Sequence, residues 1–482
     1  MALVEVESIR DERHQEEQAA AARAVALARE RGAPLLEARG LLLEGQAWQR
    51  LGELDKAVED LEAARDIYSR HGYKGGEAGV LMTLGNVQQN QQDLLGAKTS
   101  YENATRLYGE IGNHTLRARN LPNVALVLST LGELGAAIKI LNQAIPTLVE
   151  EKVHDALVTS LINLIDWQID RGELTEAEKT ADKTFEALEG WPNTSSRSLA
   201  LTRHGRLRFQ QGDLLEARQI LDQALEIQET TKDELWSAYT RSLLAQVDYE
   251  QGHLDLALQN QRRALQAYGE NSAIEALIGQ VLMTMGELDR ARERFDRALE
   301  SQSTLPDPGP AAQTRLYQAQ LLFAEDRIED SVDLARSVLA EIQRSDFLLV
   351  RVTGHGIHGR SLLALGDLEG ARQQLESSRT LLANVESPLY ELPLEILEAR
   401  LMAARGDLTG GRERLDGSLA TAMTMDFGTL ELEIRLAMAE ITLGTGSGEA
   451  GRNQLRNLAR EARQKGFGLI ALLAERVADA SS

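Results

Sequence analysis

Three sets of residues in this chain have types and spacings that could do chemistry. Gly354-His355-Gly356-Ile357-His358-Gly359 fits the G-x-G-x-x-G fingerprint of a phosphate-cradling loop, and the apolar run Phe347-Leu348-Leu349-Val350 precedes it as a strand would. His355 and His358, three apart, could share a metal ion from one face of a helix. The third set is Asn86, Asn123, Asn163, Asp166, Arg203, Arg206, Tyr239, Gln246 and Tyr249. An amide side chain donates and accepts at once, which suits a bare peptide backbone. A guanidinium adds a two-pronged grip on a carboxylate. Other routes to catalysis are missing from the sequence. Cysteine is absent, and there is no Gly-x-Ser-x-Gly elbow, Walker loop or His-Glu-x-x-His. The carboxylates are scattered along polar faces, so no acid–base pair stands out. The expectation is a non-enzyme without metal or cofactor.

What positions these residues is a repeat. The phrase Leu-Gly-(Glu/Asp)-Leu with Ala three residues further on occurs at Leu51–Leu54, Leu131–Leu134 and Leu365–Leu368, and weaker copies fill the gaps. The turn position falls at Gly52, Gln92, Gly132, Gly172, Gly212, Gly252, Gly286, Asp326, Gly366, Gly406 and Gly446, in steps of 40 except for one of 34 between Gly252 and Gly286. Small residues recur seven before the turn (Gly45, Gly85, Gly205, Gly279), five after it (Ala57, Ala97, Ala137) and twelve after it (Ala64, Ala104, Ala144). A bulky slot lies nine after it (Leu61, Tyr101, Leu141, Leu221, Phe295). The columns five and twelve after the turn share one helical face, and small beside large is what closely crossing helices need. Each copy therefore predicts helix, tight turn, helix. Glycine closes the first helix in a left-handed conformation, and the acid after it favours the start of the second.

This register reassigns the first two motifs. Gly359 falls in the small column between Ala319 and Ala399, which predicts a helix-packing glycine instead of a phosphate loop. The histidines have no evident third ligand.

The turn and its columns resemble the tetratricopeptide repeat (TPR) family in a 40-residue variety, over about residues 38–465. The large aromatic usual near the start of the first helix is replaced by Leu41, Leu81 and Leu121. The resemblance implies an all-α, right-handed superhelical solenoid of stacked antiparallel helix pairs, with the first helices forming the inner wall. On that wall Asn86, Asn123, Asn163, Arg203 and Arg206 would form a peptide-clamping track, with Asp166 beside it, and Tyr239, Gln246 and Tyr249 would extend it. The ending Gly466-Phe467-Gly468-Leu469-Ile470 is similar to TPR regions attached to bacterial signalling proteins, among them serine/threonine kinases and activators of the maltose-activator type.

The expected layout is a capping helix or half repeat over 1–37, copies one to seven over 38–305, a Pro-rich joint at 306–310, copies eight to eleven over 311–465 and a capping helix over 466–482. Trp191–Ser196 reads as a further loop. A net charge of −22 disfavours nucleic acid and anionic membrane as partners. With no 18-residue apolar run and a polar N-terminus, the chain is expected to be cytoplasmic. The expected function is a protein- or peptide-binding scaffold, the sensory or recruiting region of a bacterial signalling or regulatory protein, with an acidic or C-terminal-carboxylate partner. The alternative is a sensor region of a transcription activator that binds a small-molecule inducer. Tyr239, Tyr249, Tyr317 and Phe323 supply the aromatics such a ligand would use.

Overall fold

The computed structural model describes residues 2–480 apart from 192, 304–307 and 445–447, with side chains from residue 13 onward. Among the described residues every regular element is an α-helix, and there are twenty-four. They follow the predicted frame. The first copy is Pro34–Arg50 and Leu54–Arg70, the fifth Thr194–Gln211 and Leu214–Thr230, and the tenth Pro388–Ala404 and Leu408–Thr424. The leading helix begins earlier than its amphipathic pattern suggests and runs Ala2–Glu30. Of the expected joint, residues 306 and 307 lie outside the described residues, and Gly309 and Pro310 open the helix Gly309–Ala324. The turn at Gly446 lies outside them too. No described helix is long and apolar enough to cross a membrane.

The small and bulky columns meet as predicted. A Cβ placed on Gly85 would lie 2.6 Å from the Tyr101 ring, and one on Gly279 would lie 2.5 Å from the Phe295 ring. Tyr101 and Phe295 are fully buried, as are Ala57, Ala97, Ala137, Ala177, Ala217 and Ala257. The turn glycines take positive φ, from Gly172 at 72° to Gly406 at 95°, and Gln92 and Asp326 adopt the same conformation without glycine. The acid after the turn acts by its length. The carboxylates of Asp93, Asp213, Asp367 and Asp407 accept a hydrogen bond from the backbone N–H three residues on, whereas the longer Glu53, Glu133 and Glu173 make no such cap.

The chain divides into two compact units, Met1–Ser160 and Leu161–Ser482. In the first, the cores are local. One joins Val25, Leu41, Leu61, Tyr68 and Val87, and another joins Ala78, Leu81, Ala104 and Tyr108. In the second, cores join distant copies. Phe209, Leu221 and Val247 pack with Leu392, Phe427 and Ile434, and Phe295 shares a core with Leu436, Phe467 and Ile470. Hydrogen bonds tie the same layers: Ser387 Oγ donates to the Gln210 carbonyl (2.5 Å), Gln251 Nε2 to Asp426 (2.6 Å) and Thr429 Oγ1 to the Tyr249 carbonyl (2.5 Å), at separations of 175–180 residues. Within this unit the repeats thus coil back onto themselves.

Candidate ligand cavity of the second unit

The coiling forms a partly open cavity of about 710 Å³. First helices build its walls. The slot six before each turn contributes Arg206, Gln246, Gln280, Gln320, Arg360 and Arg400 in succession, and the later slots of the same helices add Asp170, Tyr249 and Glu250. Tyr317, Tyr390 and Glu433 add to the polar lining. A 40-residue period returns the same helical face to the same wall in each copy, which is why one column of the sequence becomes one band of the cavity.

The phenols are pinned. Tyr249 shares a hydrogen bond with Thr284 (3.0 Å) and Tyr390 donates to Gln210 Oε1 (2.7 Å). Burial pushes the Tyr249, Tyr317 and Tyr390 hydroxyls well above their ordinary range, so these groups stay neutral. Burial and then the neighbouring charge of Glu433 raise Glu250 from 4.5 to about 8. Glu250 is half-buried, and it lines the cavity. Burial and then Arg400 push the Arg360 guanidinium below its ordinary range, while Glu433 and Glu440 pull the other way.

Of the nine residues expected to bind a partner, Asn86 and Asn123 belong to the first unit and the other seven to the second. Asn86 Oδ1 accepts from the Tyr101 hydroxyl at 2.6 Å. Arg206, Gln246 and Tyr249 line the cavity; Asn163, Asp166, Arg203 and Tyr239 are not part of its wall. Arg203 is 7% exposed, paired with Asp166 and stacked against both Trp236 and Tyr239, each 4.9 Å from the guanidinium carbon. Arg206 bonds to Asp166 at 2.8 Å and also to Asp170. The two arginines are therefore held by acids of the preceding copy. The G-x-G-x-x-G stretch lies inside the helix Leu348–Ala364, where a Cβ on Gly359 would come 2.8 Å from Leu397. His355 bonds to Gln374 at 2.7 Å, and among the described residues no three His, Cys, Asp or Glu side chains are grouped to hold a metal.

A tetratricopeptide repeat family profile matches residues 196–270. Among solved structures, the Cut9 chain of the APC/C hetero-tetramer Cut9–Hcn1 superposes with a TM-score of 0.59 at 13% identity, covering 98% of this chain and 94% of that one. The fold is that of a TPR-type repeat solenoid. A Rap protein complexed with competence and sporulation factor (TM-score 0.46, 15% identity, 67% of this chain and 97% of that one) and yeast Tom70 (0.36, 15%, 92% and 95%) match less well. No curated protein matches.

The TPR frame also explains what the sequence hid about the cavity. Glu250, Arg360, Arg400 and Glu433 occupy inner-wall slots of copies six, nine, ten and eleven, but no single copy shows that they meet, and Tyr390 looks like ordinary surface of its own helix. Coiling brings them to one space. One signal was present: Asp166 and Arg206, like Arg400 and Glu440, occupy the same slot in consecutive copies with opposite charge. The latter pair bonds at 2.7 Å. Opposite charges 40 residues apart in a stacked repeat are neighbours before they are ligands for anything else.

Proposed function

We propose that this TPR chain is a non-catalytic binding scaffold whose second unit senses a compact polar ligand enclosed by its first helices, and that it serves as the sensory or recruiting region of a bacterial signalling or regulatory protein. The observation that carries this reading is the cavity itself: about 710 Å³, walled by Tyr249, Tyr317 and Tyr390 and by a column of Gln and Arg side chains. Small-ligand sites have this size and this mixture of apolar ring surface and a few placed polar groups, roughly 300–1,000 Å³. An extended peptide clamped along the expected track would need unengaged arginines, and Arg203 and Arg206 are committed to Asp166 and Asp170. The net charge of −22 argues against nucleic acid as the ligand.

The test is a thermal-shift screen of the full chain against a diverse metabolite library, repeated with Gln280→Trp, which fills the cavity from its wall. A compound that raises the melting temperature of the wild type and not of the variant supports the enclosed site. Binders that act equally on both would move the search to the outer helices.

A further inference from the structure

The charges that line the cavity are unevenly matched. Arg206 is tied to Asp166 and Asp170, and Arg400 to Glu440. Arg360 makes no ion pair among the described residues; its guanidinium carbon lies over the Phe323 ring, 4.4 Å from the centroid. Stacking uses the face of a guanidinium and leaves its edge N–H groups free to meet a carboxylate in the plane. Glu250 and Glu433 present the opposite need. Neither makes a hydrogen bond or ion pair among the described residues, both line the same cavity, and the charge of Glu433 helps keep the proton on Glu250. A cation between them would match the charge of Glu433 and draw the proton off Glu250.

We propose that the cavity takes a compact zwitterion, its protonated amine between Glu250 and Glu433 and its carboxylate on the free edge of Arg360. This rests on the reading of the cavity as a ligand site. Glu433 acts electrostatically on both Glu250 and Arg360, and all three line the same cavity. A ligand bridging them must carry both charges on one short frame. Tyr317 and Tyr390 both feel the charge of Glu250, and their rings offer apolar wall to the part of the ligand between its charges. A lone amine would leave Arg360 unmatched, and a lone acid would leave Glu433 unmatched. A neutral sugar would satisfy neither. The volume admits a free amino acid or a short peptide with unblocked termini, which share this chemistry.

The full chain is screened by thermal shift against two libraries, free amino acids and unblocked tripeptides, and hits are titrated calorimetrically as the free, N-acetylated and C-amidated forms. A hit in one library and not the other identifies the source. The expected result is that each blocking group weakens binding about tenfold or more. Arg360→Met should erase the difference between acid and amide, and Glu433→Gln the difference between free and acetylated amine, with helical circular dichroism unchanged. Should either variant fail to fold, the blocked forms on the wild type decide alone. Equal binding of free and blocked forms overturns the proposal, as does no binder in either library. In that event a neutral carbohydrate library separates the two levels. A sugar that stabilises the wild type and not Gln280→Trp keeps the cavity as a ligand site and removes the zwitterion, and no binder of any kind removes both.

Discussion

The same repeat behaves differently in the two units. In the first, the turn glycines Gly52, Gly72 and Gly112 have open space where a Cβ would be. In the second, Gly172, Gly212, Gly252 and Gly286 are covered: Gly212 by Phe427 and Pro388, Gly252 by Phe467 and Gly428, and Gly286 by Gly468. Four residues that directly precede a first helix show the difference. Tyr73 is 53% exposed in the first unit, whereas its counterparts Ser387, Phe427 and Phe467 are 0%, 0% and 2% exposed in the second. TPR stacking as such needs only neighbour-to-neighbour burial. The second unit adds contacts between layers, and these make a cavity out of an inner wall. The late turns Gly366 and Gly406 again have nothing within 4 Å. The covering thus depends on a later layer being there, and not on a special kind of turn.

The comparison breaks most sharply at two glycines. A Cβ on Gly468 would lie 2.2 Å from the Met285 carbonyl oxygen, and one on Gly428 would lie 2.5 Å from that of Gln251. Both obstacles are backbone, so the layers must part. We expect Gly428→Ala/Gly468→Ala to destabilise the second unit by at least about 3 kcal/mol and to expose the turn amides near 212, 252 and 286 to hydrogen exchange. Gly75→Ala in the first unit, whose nearest neighbour would be Ile111 at an ordinary 3.6 Å, should be neutral or stabilising. Unchanged exchange at those turns in the double variant would show that the layers do not depend on this approach. A second pair uses equivalent slots. Phe427→Ala should cost about 3–4 kcal/mol in urea unfolding, and Tyr73→Ala under 1 kcal/mol, roughly. Similar costs would mean that the two units are held in the same way.

How far the sequence shows this follows from the range of each interaction. Turns, helix pairs and the small and bulky columns are set by residues within one copy, so Gly85 against Tyr101 and the left-handed Gly212 were legible from the 40-residue period. The inner column six before the turn was legible too. Its enclosure was not, because the layers meet at separations of 175–180 residues and each contributes a different residue. A faint mark exists in Phe427-Gly428 and Phe467-Gly468, an aromatic to cover a turn followed by a residue that permits backbone approach, repeated 40 residues apart. Arg203 and Arg206 were read as ligand groups because a single helix gives no sign of the acids one copy back.

A third comparison concerns pH. Glu250 is raised from 4.5 to about 8, by burial and then by Glu433. An acid whose folded pKa exceeds its unfolded value holds its proton more tightly when folded, so its contribution is complete below about 4.5 and is lost as pH rises through about 8. Glu250→Gln cannot ionise. The variant should gain on the wild type across that window, reaching roughly 4 kcal/mol at pH 8 by denaturant unfolding. The groups that face Glu250, namely Glu433, Tyr249, Tyr317 and Tyr390, are retained in both proteins. In the first unit Asp60 is raised to about 6, by burial and then by Glu44. Asp60→Asn should therefore show a smaller gain that is complete by about pH 6.5. A flat difference between Glu250→Gln and wild type from pH 5 to 8 would mean that the cavity is as wet as the outer surface.

The finest comparison separates backbone strain from covering. Gly52 and Gly212 have nearly the same conformation, with φ of 77° and 85°. Alanine at Gly52 meets no atom within 4 Å and so should cost only the left-handed backbone, about 1–2 kcal/mol. Alanine at Gly212 carries that same cost and also presses on the Phe427 ring at 3.2 Å and Pro388 at 3.3 Å. A ring edge can yield by a few tenths of an ångström, so the added cost should be about 1 kcal/mol, measured as the difference between the two variants in urea unfolding. In the double variant Gly212→Ala/Phe427→Ala that excess should vanish, because the atom that was pressed is gone. If the excess persists without the ring, Pro388 is the part of the later layer that fixes the turn. If no excess appears, the layers are loose enough at this point to absorb a methyl group, and the enclosure of the cavity must depend on the glycine contacts at 428 and 468.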